Sequence, residues 1–447
     1  MAGDGKAIDW KVLAAYGAPA LPMAALALPL YVIVPTFYSE TLGLSLAAVG
    51  AALLWIRIAD GFTDPLVGWL ADRITLPAGR RRSLFALSLP VTALGAFMLF
   101  NPPPDAGIAY LVIWGLVVTT GYTLTGIPFT AWGAELETAY ARRNRVVGVR
   151  EGFTVLGTVL AIAIPLGVGA LSGSEAQGLT VLGAAVAVAL LSLGALAFRV
   201  VPEPRPVSRT RVTLGAGLAI MAGNKPFVRL ILAYFVNGLA NGIPATLFLY
   251  FVSDRLGAPE LRGPLLLLYF LCGVAGIPLA IAAAARFGKH RAWCVAMAAA
   301  CLVFAVVPFI APGNVVAFAA VCVGTGVLLG FDLTLPGSMQ ADVIDVDTDR
   351  SGEQRSGLYF AAWSLATKLS LALGVGLVLP ILDAVGFVPG AGAPDARPAV
   401  ILAGLYAWLP IVLKLGAIAL MWTFPLDAAG QEALRQRIDR WSEDGET

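Results

Sequence analysis

The sequence is poor in charge. Only 13% of its 447 residues are Asp, Glu, Lys or Arg, against about a quarter in soluble domains, and its mean hydropathy is +0.82. That shortage excludes an ordinary water-soluble domain, and a net charge of +2 gives no reason to expect a nucleic-acid partner. Histidine is nearly missing. His290, the only one, falls in a basic loop, which argues against a histidine proton relay. Cysteine is scarce as well: Cys272, Cys294, Cys301 and Cys322 lie in or beside apolar segments without metal-ligand spacing. Neither a disulfide framework nor a zinc site is expected. The N-terminal MAGDGKAIDWK lacks the basic–apolar–small order of a cleaved signal peptide. No nucleophile–base pair or metal motif stands among the apolar segments, so neither an enzyme nor a cofactor is expected.

What the sequence has is long apolar runs. About twelve stretches approach the roughly 20 residues that span a bilayer. They lie near 12–38, 46–71, 83–101, 107–134, 147–172, 177–200, 227–253, 263–286, 291–311, 314–339, 357–384 and 399–424. The runs are continuous rather than alternating, so they read as helices and not barrel strands. Arg and Lys are unevenly shared among the connecting loops. Arg73, Arg80, Arg81 and Arg82, then Arg142, Arg143 and Arg145, then Arg205, Arg209, Arg211 and Lys225, then Arg286, Lys289 and Arg291 fall on one side. Only Arg255, Arg262 and Arg397 fall on the other. The positive-inside rule then places both termini in the cytoplasm.

The chain also halves. Residues 200–227, VPEPRPVSRTRVTLGAGLAIMAGNKPF, interrupt the apolar pattern, and ADRITLPAGRRRSL after the second span is echoed by AARFGKHRAW after the eighth. The expected fold is an all-α membrane protein with about twelve transmembrane helices in two six-helix pseudo-symmetric bundles, an arrangement used for alternating access. The expected segments are a first bundle at 1–200, a linker at 201–226, a second bundle at 227–425 and an amphipathic tail at 426–447. In the tail, Leu434, Ile438 and Trp441 are spaced to form one face, for the membrane surface or for packing on the bundles.

Against this apolar background, RIADGFTDPLVGWLADR (57–73) places Arg57, Asp60 and Asp64 inside a span. An ionisable group at membrane depth costs at least about 2.5–3.5 kcal/mol, so it faces a cavity or a partner. At about 100° per residue the three fall within roughly 60° of one another. Arg57 can pair with one carboxylate, which leaves the other for a mobile cation or a proton. Pro65 deprives the Gly61 carbonyl of its helical donor, and with Thr63 nearby the oxygens suit a small hard cation. A buried ion pair that only joins helices is the competing reading. Lys368, with Tyr359 and Trp363 upstream, and Arg150 are candidates for substrate binding or coupling. Asp332 shows no partner in the sequence and reads as a gate or a packing group, while Lys414 reads as a snorkelling or packing lysine.

RIADGFTDPLVGWLADR resembles the second-helix signature of the glycoside–pentoside–hexuronide:cation symporters, a branch of the major facilitator superfamily. GWLADR with GRRR resembles the superfamily's loop signature, and GIPFTAWGAELE the branch's fourth-helix segment. ADVIDVDTDRSGEQRSGLYFAAWSLATK resembles its segment entering the eleventh helix. The resemblance implies that Asp60 and Asp64 hold a coupling cation, with Thr63 and the Thr123 hydroxyl beside them. It implies that Lys368 links that site to the substrate pocket and that Arg150 stands near bound substrate, with Tyr122, Tyr359 and Trp363 as further candidates. Thr63 replaces the asparagine of the melibiose-type sequence, so sodium and proton both stay open as the coupling ion. The two acids that hold sugar hydroxyls in that pocket are replaced by Ala24 and Gly126, so a galactoside is not expected. FTDPLVG and residues 155–160 are also similar to stretches of sodium-coupled lysophosphatidylcholine symporters. The resemblance thus implies a monomeric carrier in a bacterial inner membrane, for a sugar-type solute or an anionic amphiphile.

Overall fold

Wherever the chain is described, its apolar runs fold as helices. The computed structural model describes residues 9–73, 79–136, 140–203, 221–351, 356–391 and 397–426, with Gly430, Gln431, Ala433, Leu434 and Arg437 of the tail. Within those stretches some side chains, that of Asp64 among them, lie outside the description. Two compact units divide the chain, Met1–Ser208 and Arg209–Thr447.

The first unit opens with α1 (Trp10–Gly17), α2 (Ala20–Ala27) and α3 (Pro29–Thr36). The breaks fall at Pro19 and Pro29, which have no N–H to give. Backbone angles stay helical across them (Ala18 φ −53°, ψ −40°; Leu28 φ −60°, ψ −48°), so hydrogen bonding is interrupted while the dihedrals remain α-helical. The unit continues through α4 (Leu46–Arg73), α5 (Arg80–Phe100), α6 (Ile108–Leu136), α7 (Tyr140–Ser172) and α8 (Glu175–Val200). The second unit contains α9 (Lys225–Tyr250), α10 (Arg262–Phe287), α11 (Lys289–Val306), α12 (Val315–Ser351), α13 (Ser356–Ala384) and α14 (Arg397–Met421). Among the described residues eleven helical stretches are long and apolar enough to cross a membrane. The charged run occupies α4, which is not one of the eleven. Its 28 residues nonetheless extend about 42 Å at 1.5 Å per residue, longer than a hydrocarbon core of about 30 Å.

A second internal echo appears in the fold. The helical runs Trp10–Thr41 of the first unit and Lys225–Arg255 of the second each end in a five-residue π-helical turn, Phe37–Thr41 and Phe251–Arg255. Their sequences, FYSETLG (37–43) and FVSDRLG (251–257), share a Phe-x-Ser-acid-x-Leu-Gly pattern. Each stops at a glycine in the left-handed region, Gly43 (φ 68°) and Gly257 (φ 73°), where a Cβ would be strained.

Close helix contacts follow from missing side chains. A Cβ on Gly121 of α6 would lie 2.9 Å from Thr92 Cα of α5, and one on Gly276 of α10 would strike the Val327 carbonyl of α12. Lipid is as apolar as leucine, so van der Waals contact of this kind replaces the hydrophobic drive that holds soluble helices together. Where α5 meets α6, the hydroxyls of Ser88 and Thr92 lie 2.9 and 2.8 Å from that of Thr125, which donates at 2.8 Å to the Gly121 carbonyl.

The arginine-rich end of the first unit is tied by a residue just past α8. Glu203 accepts the backbone N–H groups of Arg81 (2.8 Å) and Arg82 (3.0 Å), so its carboxylate caps the N-terminus of α5. The Trp132 indole of α6 donates to the neighbouring Pro202 carbonyl at 2.9 Å. An anion at a helix N-terminus satisfies donors that have no helical partner and opposes the positive end of the dipole. Glu203→Ala is therefore expected to destabilise the protein by about 1–2 kcal/mol, read as a lowered unfolding temperature in detergent. Glu203→Gln, which keeps one acceptor, is expected to lose less.

In the second unit, the described tail residues pack on the end of α12. Gln431 donates to Asp345 (2.9 Å), Arg437 pairs with Asp349 (3.1 Å), and Leu434 is buried. Of the two expectations for this tail, these residues follow the one that packs it on the protein. His290 does not lie in a loop: it is in the first turn of α11, buried, with its ring tilted against Phe424.

Candidate functional site

The helix period that put Arg57 and Asp60 on one face of α4 brings Arg57 Nη1 to 3.8 Å from Asp60 Oδ2. Asp60 is only 2% exposed. α6 supplies its hydrogen-bond partner: the buried Thr123 hydroxyl donates to Asp60 Oδ1 at 3.0 Å. Thr63, one turn along α4, donates its own hydroxyl hydrogen to the Asp60 backbone carbonyl at 2.9 Å. That bond ties the hydrogen to the helix and leaves the oxygen lone pairs to face elsewhere. The side chain of Asp64 lies outside the description; its backbone is part of the unbroken α4.

Around this carboxylate the unit gathers further polar groups. Tyr122, adjacent to Thr123 on α6, lies in electrostatic reach of Arg57, Asp60, Arg150 and Glu151. Tyr31, from α3, lies in reach of Arg57 and Tyr122. Arg150 of α7 donates to Glu151 Oε1 through Nη2 (2.7 Å) and Nε (3.2 Å). The Arg150 side chain is 24% exposed and that of Glu151 53%. Sequence reasoning passed over Glu151, although an acid directly after an arginine in an apolar span was a usable signal. The arrangement offers carboxylate and hydroxyl oxygens for a hard cation, and α7 of the same unit carries an arginine–glutamate pair suited to hydroxyl or anionic groups.

The expected sugar-holding positions are apolar in the fold too. Ala24 is buried, and the space where Gly126 would carry a Cβ is bounded by the Met23 methyl at 3.3 Å. Much of the GIPFTAWGAELE signature serves packing. Phe129 stacks on Tyr16 (4.8 Å) and Phe85 (5.6 Å), and Trp132 meets both of those rings edge-on. The Tyr16 hydroxyl donates to the Phe129 carbonyl at 3.2 Å.

The remaining expected residues belong to the second unit, on α13. Lys368 is half-buried. Trp363 stacks on Tyr234 of α9 with ring centroids 3.8 Å apart, and the Tyr234 and Thr367 hydroxyls lie 2.9 Å apart. Tyr359 is fully buried, its ring meets Phe227 edge-on at 4.6 Å, and its hydroxyl accepts from Asn224 at 3.2 Å. Those contacts make it part of the apolar core.

For Asp332 and Lys414 the fold follows the packing alternative of each expectation and pairs the two. Lys414 does not snorkel: it is 2% exposed, and its ammonium donates to Asn237 Oδ1 and Asn241 Oδ1, both at 2.8 Å, 3.6 Å from Asp332 Oδ2. Asp332 in turn accepts from Asn237 Nδ2 and Trp293 Nε1 on Oδ1, and from Asn241 Nδ2 on Oδ2, at 2.9, 2.6 and 2.9 Å. Helices α9, α11, α12 and α14 each contribute to this cluster. The two asparagines, one turn apart in VNGLANG, were visible in the sequence as polar residues inside a span.

Comparison with known proteins agrees with this architecture. The chain is 25% identical over 409 residues to the isoprimeverose transporter of Lactiplantibacillus pentosus, covering 86% of this chain and 82% of that one. It is 25% identical over 408 residues to the human sodium-dependent lysophosphatidylcholine symporter 1, covering 83% and 75%. Among solved structures, the nucleoside transporter NupG superposes with a TM-score of 0.64 at 16% identity, covering 92% of this chain and 99% of that one. A likeness at that identity speaks for the fold alone. The family model described as MFS/sugar transport protein matches residues 15–428. The chain belongs to that family: it is a multi-pass membrane transporter of the major facilitator type, not an enzyme.

Proposed function

We propose that the protein is a cation-coupled symporter that carries a sugar-type solute, such as a glycoside, pentoside or hexuronide but not a galactoside, by alternating access. The observation that carries this reading is the buried Asp60 carboxylate held by the Thr123 hydroxyl, 63 residues away in sequence. A carboxylate at that depth is costly unless it serves a partner or a mobile ion. Sodium is the proposed ion, with a proton as the alternative, bound by Asp60, Asp64, Thr63 and Thr123. Sodium binding needs the Thr123 hydroxyl hydrogen to turn away from Asp60, so that both oxygens face the ion. Arg57 balances the remaining charge. Arg150 and Lys368, with Tyr122 and Trp363, are the proposed substrate and coupling residues; Tyr359 supports α13 from the core. The proposal includes twelve transmembrane helices with both termini cytoplasmic, in a bacterial inner membrane, acting as a monomer. Its bundles are residues 1–200 and 227–425.

Ala24 and Gly126, in place of the two sugar-holding acids, favour a second reading in which the cargo is an anionic amphiphile such as a lysophospholipid. One experiment separates the readings. Proteoliposomes are screened for uptake of radiolabelled glycosides, pentosides, hexuronides and lysolipids, with an inward sodium gradient, an inward proton gradient or choline. The expected result is uptake of a sugar-type solute that collapses in choline. Uptake that ignores both gradients would overturn symport, and gradient-driven uptake of lysolipid alone would select the second reading.

A further inference from the structure

The polar cluster of the second unit has the coordination of a cation site. The Lys414 ammonium has three N–H groups; two are received by Asn237 Oδ1 and Asn241 Oδ1 at 2.8 Å, and the Asp332 Oδ2 oxygen stands 3.6 Å away as the counter-charge of an ion pair. Each asparagine is used twice, its carbonyl turned to the ammonium and its amide to the Asp332 carboxylate at 2.9 Å. Trp293 supplies a further donor to Asp332. The amide oxygens are thereby fixed toward one point by bonds that do not involve the lysine at all. One carboxylate charge with two neutral oxygens matches a monovalent cation, and oxygen donors suit a hard one. The ammonium end is buried, with Lys414 and Asn237 each 2% exposed and Trp293 fully buried, while Asn241 and Asp332 are partly buried.

We propose that Asn237, Asn241 and Asp332 form a monovalent-cation site whose permanent occupant is the ammonium of Lys414. The second unit carries its cation on a covalent stem, neutralises Asp332 throughout the transport cycle and exchanges no ion there. This inference stands apart from the role proposed for Asp60, which lies in the other unit.

Removing the stem should open the site to a free cation of the same chemistry. Ethylammonium is the probe, since it reproduces the end of the lysine side chain, and choline, a cation whose quaternary nitrogen has no N–H to donate, is the control. Full-length wild type, Lys414→Ala and Lys414→Ala/Asp332→Asn are purified in detergent, and unfolding is followed against each chloride salt at constant ionic strength. Wild type is expected to show the same unfolding temperature in both salts. Lys414→Ala is expected to be destabilised in choline and to recover saturably with ethylammonium, as a ligand that binds only the native state requires. The double variant is expected to lose that recovery. Identical behaviour of Lys414→Ala in the two salts, or recovery that persists without the Asp332 carboxylate, would overturn the proposal. So would failure to obtain folded Lys414→Ala in any salt, because a site able to take a free cation would be refilled during purification in ethylammonium.

Discussion

Asparagine in place of Asp60 is expected to abolish ion-driven uptake while leaving a folded protein. The substitution preserves shape and keeps an oxygen for the Thr123 hydroxyl, now 3.0 Å from Asp60 Oδ1. What it removes is the charge that would hold a hard cation at a site 2% exposed. In a symporter the ion and the substrate each raise the other's affinity by one common factor, commonly about 5–150-fold. In Asp60→Asn that factor should fall to one. Substrate affinity measured in choline should stay close to that of wild type, and sodium or protons should no longer improve it. Binding titrations with and without the ion, beside gradient-driven uptake in proteoliposomes, read both quantities. A folded Asp60→Asn protein that keeps ion-dependent uptake would remove Asp60 from the coupling site. The competing reading, an ion pair that only joins helices, makes a different forecast: lost stability with coupling intact in whatever protein folds.

Part of this was legible in the chain itself. Spans were readable because apolar length is a local property, and the Arg57–Asp60 contact because positions three apart on a helix share a face. Burial and partnership between distant helices are not local. Asn237, Asp332 and Lys414 meet across sequence separations of 95 and 177 residues, and no period in any one helix announces the others. From the sequence, Lys414 therefore reads as a snorkelling or a packing lysine and Asp332 as a gate or a packing group, and only the fold pairs them. Tyr359 illustrates a second kind of placement that sequence does not carry. Proximity to Lys368 in sequence suggested a shared site, but nine residues is about two and a half helical turns, and the fold places its ring against Phe227. The Phe129–Trp132 portion of the fourth-helix signature was legible as a motif but not as packing, because a motif records that residues recur together and not whether they touch solute or one another. Thr63 lay where a cation ligand was expected, yet only the fold shows its hydroxyl hydrogen held by the Asp60 carbonyl.

The largest loss of stability is expected from breaking the Asp332–Lys414 pair on one side only. Among the described residues, each hydrogen-bond or ion-pair partner of Asp332 brings N–H groups: Asn237 Nδ2, Asn241 Nδ2, Trp293 Nε1 and the Lys414 ammonium. Asp332→Asn replaces one acceptor oxygen with an NH2 group, so a donor is forced against donors while the buried ammonium loses its counter-charge. Losing one partner of a buried pair costs about 3–5 kcal/mol, and added ethylammonium cannot offset this because the lysine still fills the site. Removing both charges should be far milder. In Asp332→Asn/Lys414→Met the charge penalty is gone, and Asn241, released from the lysine, can flip its amide to accept from the new NH2 group. Unfolding of the two single variants and the double gives the coupling energy directly. A double variant no more stable than Asp332→Asn would mean that the carboxylate holds the four helices through its hydrogen bonds to Asn237, Asn241 and Trp293, with the lysine incidental. A double variant near wild type would place the cost in unpaired charge, and would make pairing with the tethered ammonium what allows an acid to stand inside α12.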